Sequence, residues 1–160
     1  MQYGAVTRVF LQTRPRFWRA QGNNGFANTD LTMEIWDPTH NLETQRGILM
    51  AYIYEARARV VQAMDPEDRL RYFLKVAEKI HPGIGEHFEG GASWAWHEDP
   101  WQRGAYPFLY KGQMKRFLPH VATAEGRIHM AGDAASDYPA WMQGALTAGL
   151  RAAREVNEVE

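Results

Sequence analysis

The sequence predicts a mixed helix-and-sheet chain of α+β or α/β class, and three observations predict it. Strand-like runs rich in β-branched and aromatic residues recur over residues 3–12, 31–36 and 47–55. Asp65-Pro66-Glu67-Asp68 opens a helix in which Leu70, Phe73, Leu74, Ala77 and Ile80 follow at helical spacing. The last third carries RIHMAGDAASDYPAWMQGALTAGLRAA, which reads as strand, small-residue turn and helix.

Taken in order, residues 3–12 hold Val6, Thr7, Val9, Phe10 and Leu11 and lead into Phe17-Trp18. Residues 21–30, with Gly22, Asn23, Asn24 and Gly25, read as a loop. A strand over 31–36 and a turn at Asp37-Pro38-Thr39-His40-Asn41 precede a strand over 47–55 that can pair with it. Residues 56–63 fit a short helix. Asp65 as cap, Pro66 in the first turn and two acids at the positive end of the dipole start the next helix, which Pro82-Gly83 stop. A further short helix over 110–120 ends at Pro119.

Residues 128–131 then read as an apolar strand, 132–136 as a turn, and Pro139 as the start of a long helix that Ser136 or Asp137 can cap. Ala145, Gly149, Ala152, Ala153 and Val156 fall on one nearly all-small face, suited to lie close against a sheet or a flat ligand. Free N–H groups and the helix dipole make the turn an anion or dipole site. The same geometry also serves a buried strand–turn–helix with no ligand.

Composition narrows the function. The 160 residues carry 18 basic and 19 acidic side chains, a net charge of −1 that argues against a nucleic-acid binder. No run of 18 apolar residues predicts a membrane span, and no basic-then-apolar leader is present. Cysteine is absent, which excludes disulfides and thiolate ligands. His97, Glu98 and Asp99 match no zinc spacing, and the six histidines supply no HExxH, so no metal is expected. G-x-S-x-G is missing, and so is the G-x-G-x-x-G turn that holds a dinucleotide pyrophosphate. Twenty aromatics serve a core or line a flat-ligand pocket.

Gly132-Asp133 after an apolar strand, Ala140-Trp141, Gly144-Ala145, and Gly149 with Arg151-Ala152-Ala153 resemble the C-terminal flavin motif of the flavin-dependent amine oxidases, which include monoamine, polyamine and L-amino-acid oxidases. The family usually has Glu where Asp133 stands and Gly where Ala140 stands. Upstream, VTRVFLQTRPRFW resembles the family's strand running into Phe-Trp, and Trp96, Asp99, Gly104 and Tyr106 match a second stretch. The likeness covers about residues 3–156.

The resemblance implies a two-domain FAD-linked oxidase fold, incomplete in this chain, with 1–105 mainly substrate-binding and 106–160 the C-terminal part of the FAD-binding domain. It implies FAD held by Gly132, Asp133, Ala140, Trp141, Met142 and Trp96. Ala105 stands where some relatives link a cysteine to flavin, so the FAD should be non-covalent. Trp141 and Tyr106 match the facing aromatic pair before the flavin. Arg8 takes the place of a lysine that commonly holds a water near flavin N5, which completes the expected catalytic set. Ala140 and Trp36 join Trp141 and Tyr106 at the substrate.

The implied reaction transfers hydride from the substrate α-carbon to flavin, with imine hydrolysis and reduction of O₂ to H₂O₂. Ala140-Trp141 and the chain's start in mid-fold resemble the microbial L-glutamate oxidases, which mature into several chains. That implies a processed oxidase, a dimer of heteromers in which a companion chain carries the glycine fingerprint, and it points to secretion. An amine or polyamine oxidase subunit, or a non-catalytic binding module of the same fold, are the other readings.

Overall fold

The structure, a computed structural model, describes residues 2–31 and 33–158. It divides into two compact units, one of residues 5–103 and one of residues 2–4 with 104–158.

The first unit is built on a five-stranded antiparallel sheet. Its strands are β2 (Val6–Thr13), β3 (Ala27–Thr29), β4 (Met33–Trp36), β5 (Gly47–Tyr54) and β6 (Phe88–Ala95), in the order β3-β4-β5-β2-β6. Strict alternation gives the sheet two unlike faces. Thr7, Val9, Leu11 and Thr13 of β2, Leu49, Ala51 and Ile53 of β5, and Met33 and Ile35 of β4 are all buried. They pack with α1 (Phe17–Ala20), α2 (Glu55–Gln62), α3 (Pro66–Ile80) and α4 (Ile84–His87) through Trp18, Ala58, Val61, Phe73, Ala77 and Ile84. Burying each larger side chain contributes roughly 1.5–3 kcal/mol. The all-antiparallel sheet resolves the class of this unit as α+β.

Two expectations need correction here. Residues 21–30 are not all loop, because β3 lies within them and pairs Asn28 with Glu34. Asp65 stands at the N-cap of α3 without a side-chain cap hydrogen bond.

His81, just past α3, is fully buried, with Nδ1 3.4 Å from Asn23 Nδ2 and Nε2 without a partner among the described residues. Burial pushes its pKa below the ordinary 6.5. The unfolded chain therefore takes up a proton that the folded chain resists. This histidine's contribution is fully present above about pH 6.5 and is lost as pH falls toward the depressed folded value. Urea midpoints should drop between about pH 7 and about pH 5, and His81→Gln should flatten that slope. An unchanged slope in the variant would remove His81 from the account.

The second unit holds a two-stranded ladder, β1 (Gln2–Tyr3) with β7 (Pro107–Phe108), then α5 (Gln113–Phe117), a 3-10 turn (Asp133–Ala135) and α6 (Met142–Asn157). The strand expected over 128–131 is not formed. Only Ile128 bridges, to Glu125. A strand needs a neighbour for its N–H and C=O groups, and none is offered there among the described residues. The last helix starts at Met142, not Pro139, and Trp141 occupies its N-cap with no side-chain cap hydrogen bond. Ser136 Oγ accepts instead from the Tyr138 N–H at 3.1 Å.

The inward stripe of α6 is Gly144, Ala148 and Ala152, spaced i, i+4, i+8. A Cβ at Gly144 would overlap the Tyr138 carbonyl, so glycine sets how closely the helix lies on the turn. The expected small face is thus displaced: Ala145 and Gly149 are half-buried, and Ala153 and Val156 are exposed.

Candidate functional site

Two sets of expected residues emerge, one in each unit. In the second unit they gather at the start of α6. Gly132 has a left-handed φ of 99°, and nothing lies within 4 Å of where its Cβ would be. The chain then folds through the 3-10 turn so that Asp133 Oδ2 accepts the Ala140 N–H at 3.0 Å. Ala140 is itself left-handed, φ 71°. That conformation costs an alanine about 1–2 kcal/mol and is free for glycine. The Asp133 bond and the turn around it offset the strain.

Trp141 and Met142 follow, 71% and 90% exposed. The N-terminus of a 16-residue helix with no side-chain cap presents N–H groups and dipole beside a large aromatic wall. Tyr106 belongs to the same unit, where its carbonyl accepts the Gly4 N–H at 2.8 Å, extending the β1–β7 ladder.

Arg151 fixes this arrangement, a role that sequence reading missed. Its guanidinium donates to the carbonyls of Met130 (2.7 Å), Ala122 (3.1 Å) and Ala135 (3.4 Å) and to Glu155 Oε1 (2.7 Å). One side chain thus ties the strand-less segment and the 3-10 turn to α6. Glu155 also meets His129 Nδ1 at 3.0 Å. His129 and then Arg151 hold its carboxyl below the usual range. The i, i+4 spacing of Arg151 and Glu155 was the available signal.

In the first unit, Arg8, Trp36 and Trp96 lie on the sheet face opposite the core. Arg8 stands across from Tyr52 on β5 and from Trp94 on β6. Its guanidinium lies 5.0 Å from the Tyr52 ring centre. Tyr52 in turn packs 5.7 Å from Trp36 and 6.2 Å from Tyr54, and Trp94 meets Trp96 edge-on at 6.2 Å. Sequence reading missed Tyr52 and Trp94. Their period-two spacing to Tyr54 and Trp96 was the signal for a shared face.

The motif implies FAD, and these residues fit part of it. The open space at Gly132, the Asp133 carboxylate and the uncapped helix suit one end of a flavin nucleotide: donors, room and an acceptor for a hydroxyl. They do not suit its pyrophosphate, since the sequence has no G-x-G-x-x-G.

Comparison with known proteins agrees. The fold is shared with cyclohexylamine oxidase from Brevibacterium oxydans, which superposes with a TM-score of 0.86 at 23% identity, over 98% of this chain and 36% of that one. YobN of Bacillus subtilis, assigned to the L-amino-acid oxidases, is 30% identical over 99% of this chain and 34% of its own length. The L-amino-acid oxidase of Naja atra is 28% identical over 98% of this chain and 32% of its own. The chain therefore spans about a third of the length of the relatives it matches. Residues 1–157 match the family model described as flavin containing amine oxidoreductase, and the chain belongs to that FAD-dependent family.

Proposed function

We propose that this chain is the C-terminal section of a FAD-dependent L-amino-acid oxidase, of the kind that acts on L-glutamate. The observation that carries the reading is the start of α6, where an uncapped helix N-terminus, Asp133 and an exposed Trp141 converge behind the open Gly132 turn. The names of the matched relatives support the amino-acid oxidase branch. An amine or polyamine oxidase subunit is the second reading, favoured by the shared fold of cyclohexylamine oxidase.

The chain's own residues bind and orient. The N–H groups at the start of α6 would hold the pyrimidine end of a non-covalent flavin, and Asp133 would accept a ribityl or ribose hydroxyl. Trp141, with Tyr106, walls the reacting centre, excludes water and favours the neutral amine. In the first unit, Trp96 and Trp36 belong to the aromatic sheet face around Arg8, which takes the place of the family's water-holding lysine. A flavin held there would supply the redox chemistry, hydride acceptance from the substrate α-carbon and reoxidation by O₂ to H₂O₂, with hydrolysis of the imine giving 2-oxo acid and ammonia.

A companion polypeptide bearing the glycine fingerprint completes the pyrophosphate site, in a dimer of heteromers produced by processing. Residues 1–105 serve the substrate and 106–160 the flavin. Met142, Leu146, Leu150 and Val156 form an exposed apolar stripe on α6, with 53–90% of their surface open, as expected of a face that a further part of the fold covers.

Asp133→Ala tests the assignment. It removes the carboxylate and releases the Ala140 N–H, so the variant should lose flavin on dialysis while retaining its fold. Full occupancy after dialysis would reduce Asp133 to a turn residue.

A further inference from the structure

We propose that Arg8 is a carboxylate receptor, and that the aromatic sheet face around it selects acidic ligands. The inference rests on the oxidase reading above and deepens it, since it assigns a binding group and a ligand class to a face of this chain's own first unit.

The buried arginines of this unit spend their donors on carbonyls or carboxylates: Arg16, at the N-cap of α1, on Leu42 and Thr39, and Arg69, in α3, on Val61, Gln62 and Glu98. Arg8 makes no hydrogen bond or ion pair among the described residues, and its Nε is shielded from solvent without a partner. What holds it is the Tyr52 ring, 5.0 Å from the guanidinium carbon. Stacking occupies the face of the guanidinium and leaves the in-plane N–H fork unspent. That fork matches a carboxylate.

Its surroundings favour an anion with an apolar or aromatic body. Trp94 stands directly across β6 and is 51% exposed, with Trp96 against it, while Trp36 flanks Tyr52 on the far side. The acidic residue in the same row is Glu34, paired with Tyr52 and so two strands from Arg8. At about 10 Å, its repulsion of a bound carboxylate is largely screened. A lysine in place of Arg8 would offer a compact, strongly hydrated point charge; arginine offers a fixed planar fork, suited to a carboxylate rather than to a single water.

The test is calorimetry on the full protein that carries this chain, titrated with benzoate and with benzamide, its neutral isostere. Wild type should bind benzoate about ten- to hundredfold tighter than benzamide, the range of a charge-assisted pair. Arg8→Gln should abolish that preference, so that benzoate binds no tighter than benzamide. Arg8→Lys, which keeps charge and loses the fork, should keep a reduced preference; it also carries the test should Arg8→Gln fail to fold. A full preference in either variant, or none in wild type, overturns the proposal. If the carboxylate comes from a side chain elsewhere in the protein, wild type shows no preference and Arg8→Gln melts lower, which overturns it too. Binding calorimetry does not require flavin, so a protein without flavin would sink the oxidase reading while leaving the Arg8 result legible.

Discussion

Trp141→Ala is expected to lower turnover by roughly tens-fold or more, because loss of a positioning wall lets the reacting carbon drift from its attack geometry. The structure separates this from a packing effect. Trp141 is 71% exposed at the N-cap of α6, and its backbone, not its ring, joins the helix, with its carbonyl accepting the Ala145 N–H at 3.2 Å. Removing an exposed ring of this kind changes stability within about 0.5 kcal/mol. Stopped-flow reduction of the flavin together with melting curves checks both halves. A large loss of stability with unchanged reduction would make Trp141 a packing residue only.

Residues 1–160 produced alone should carry no flavin, and the same chain produced with the proposed companion polypeptide should be yellow. The physical reason is the division of labour in a dinucleotide site. The start of α6 supplies one set of N–H donors and one dipole. The pyrophosphate needs a second glycine-rich turn with its own helix, which the sequence lacks. The second unit is also poorly supplied with sheet: its ladder is two residues on each strand, Ile128 is 62% exposed and Met130 45%. Such a pair is marginal in water. Visible flavin absorbance after desalting is the readout. A soluble, yellow, monomeric 160-residue protein would overturn the split arrangement.

Much of the first unit was legible in the sequence because its patterns are local. The alternation through β2 and β5 and the 3.6-residue spacing of Phe73 and Ala77 in α3 are consequences of burying one face. β6 was not legible because its sequence, FEGGASWA, looks like a loop. Gly91 is there for space: a Cβ would overlap the Phe10 carbonyl and press on Leu70. The strand expected over 128–131 failed for the opposite reason, since its apolar residues are correct for a strand but among the described residues only Ile128 bridges, to Glu125. The flavin motif was legible because glycine, aspartate and tryptophan at that spacing carry a specific backbone. Its scaffold was not: Arg151 reaches across 16 to 29 residues of sequence to three carbonyls. The aromatic face around Arg8 joins β2, β5 and β6, and no single stretch of sequence announces such a convergence.

The central claim is that this chain supplies the helix-terminus side of a flavin site completed by a second polypeptide. Intact mass spectrometry of the native particle tests it most directly. The account predicts a complex in which this chain is accompanied by a polypeptide bearing G-x-G-x-x-G, with FAD present under native conditions and released on denaturation. FAD retained by this chain with no such sequence in the particle, or covalently attached FAD, would contradict it.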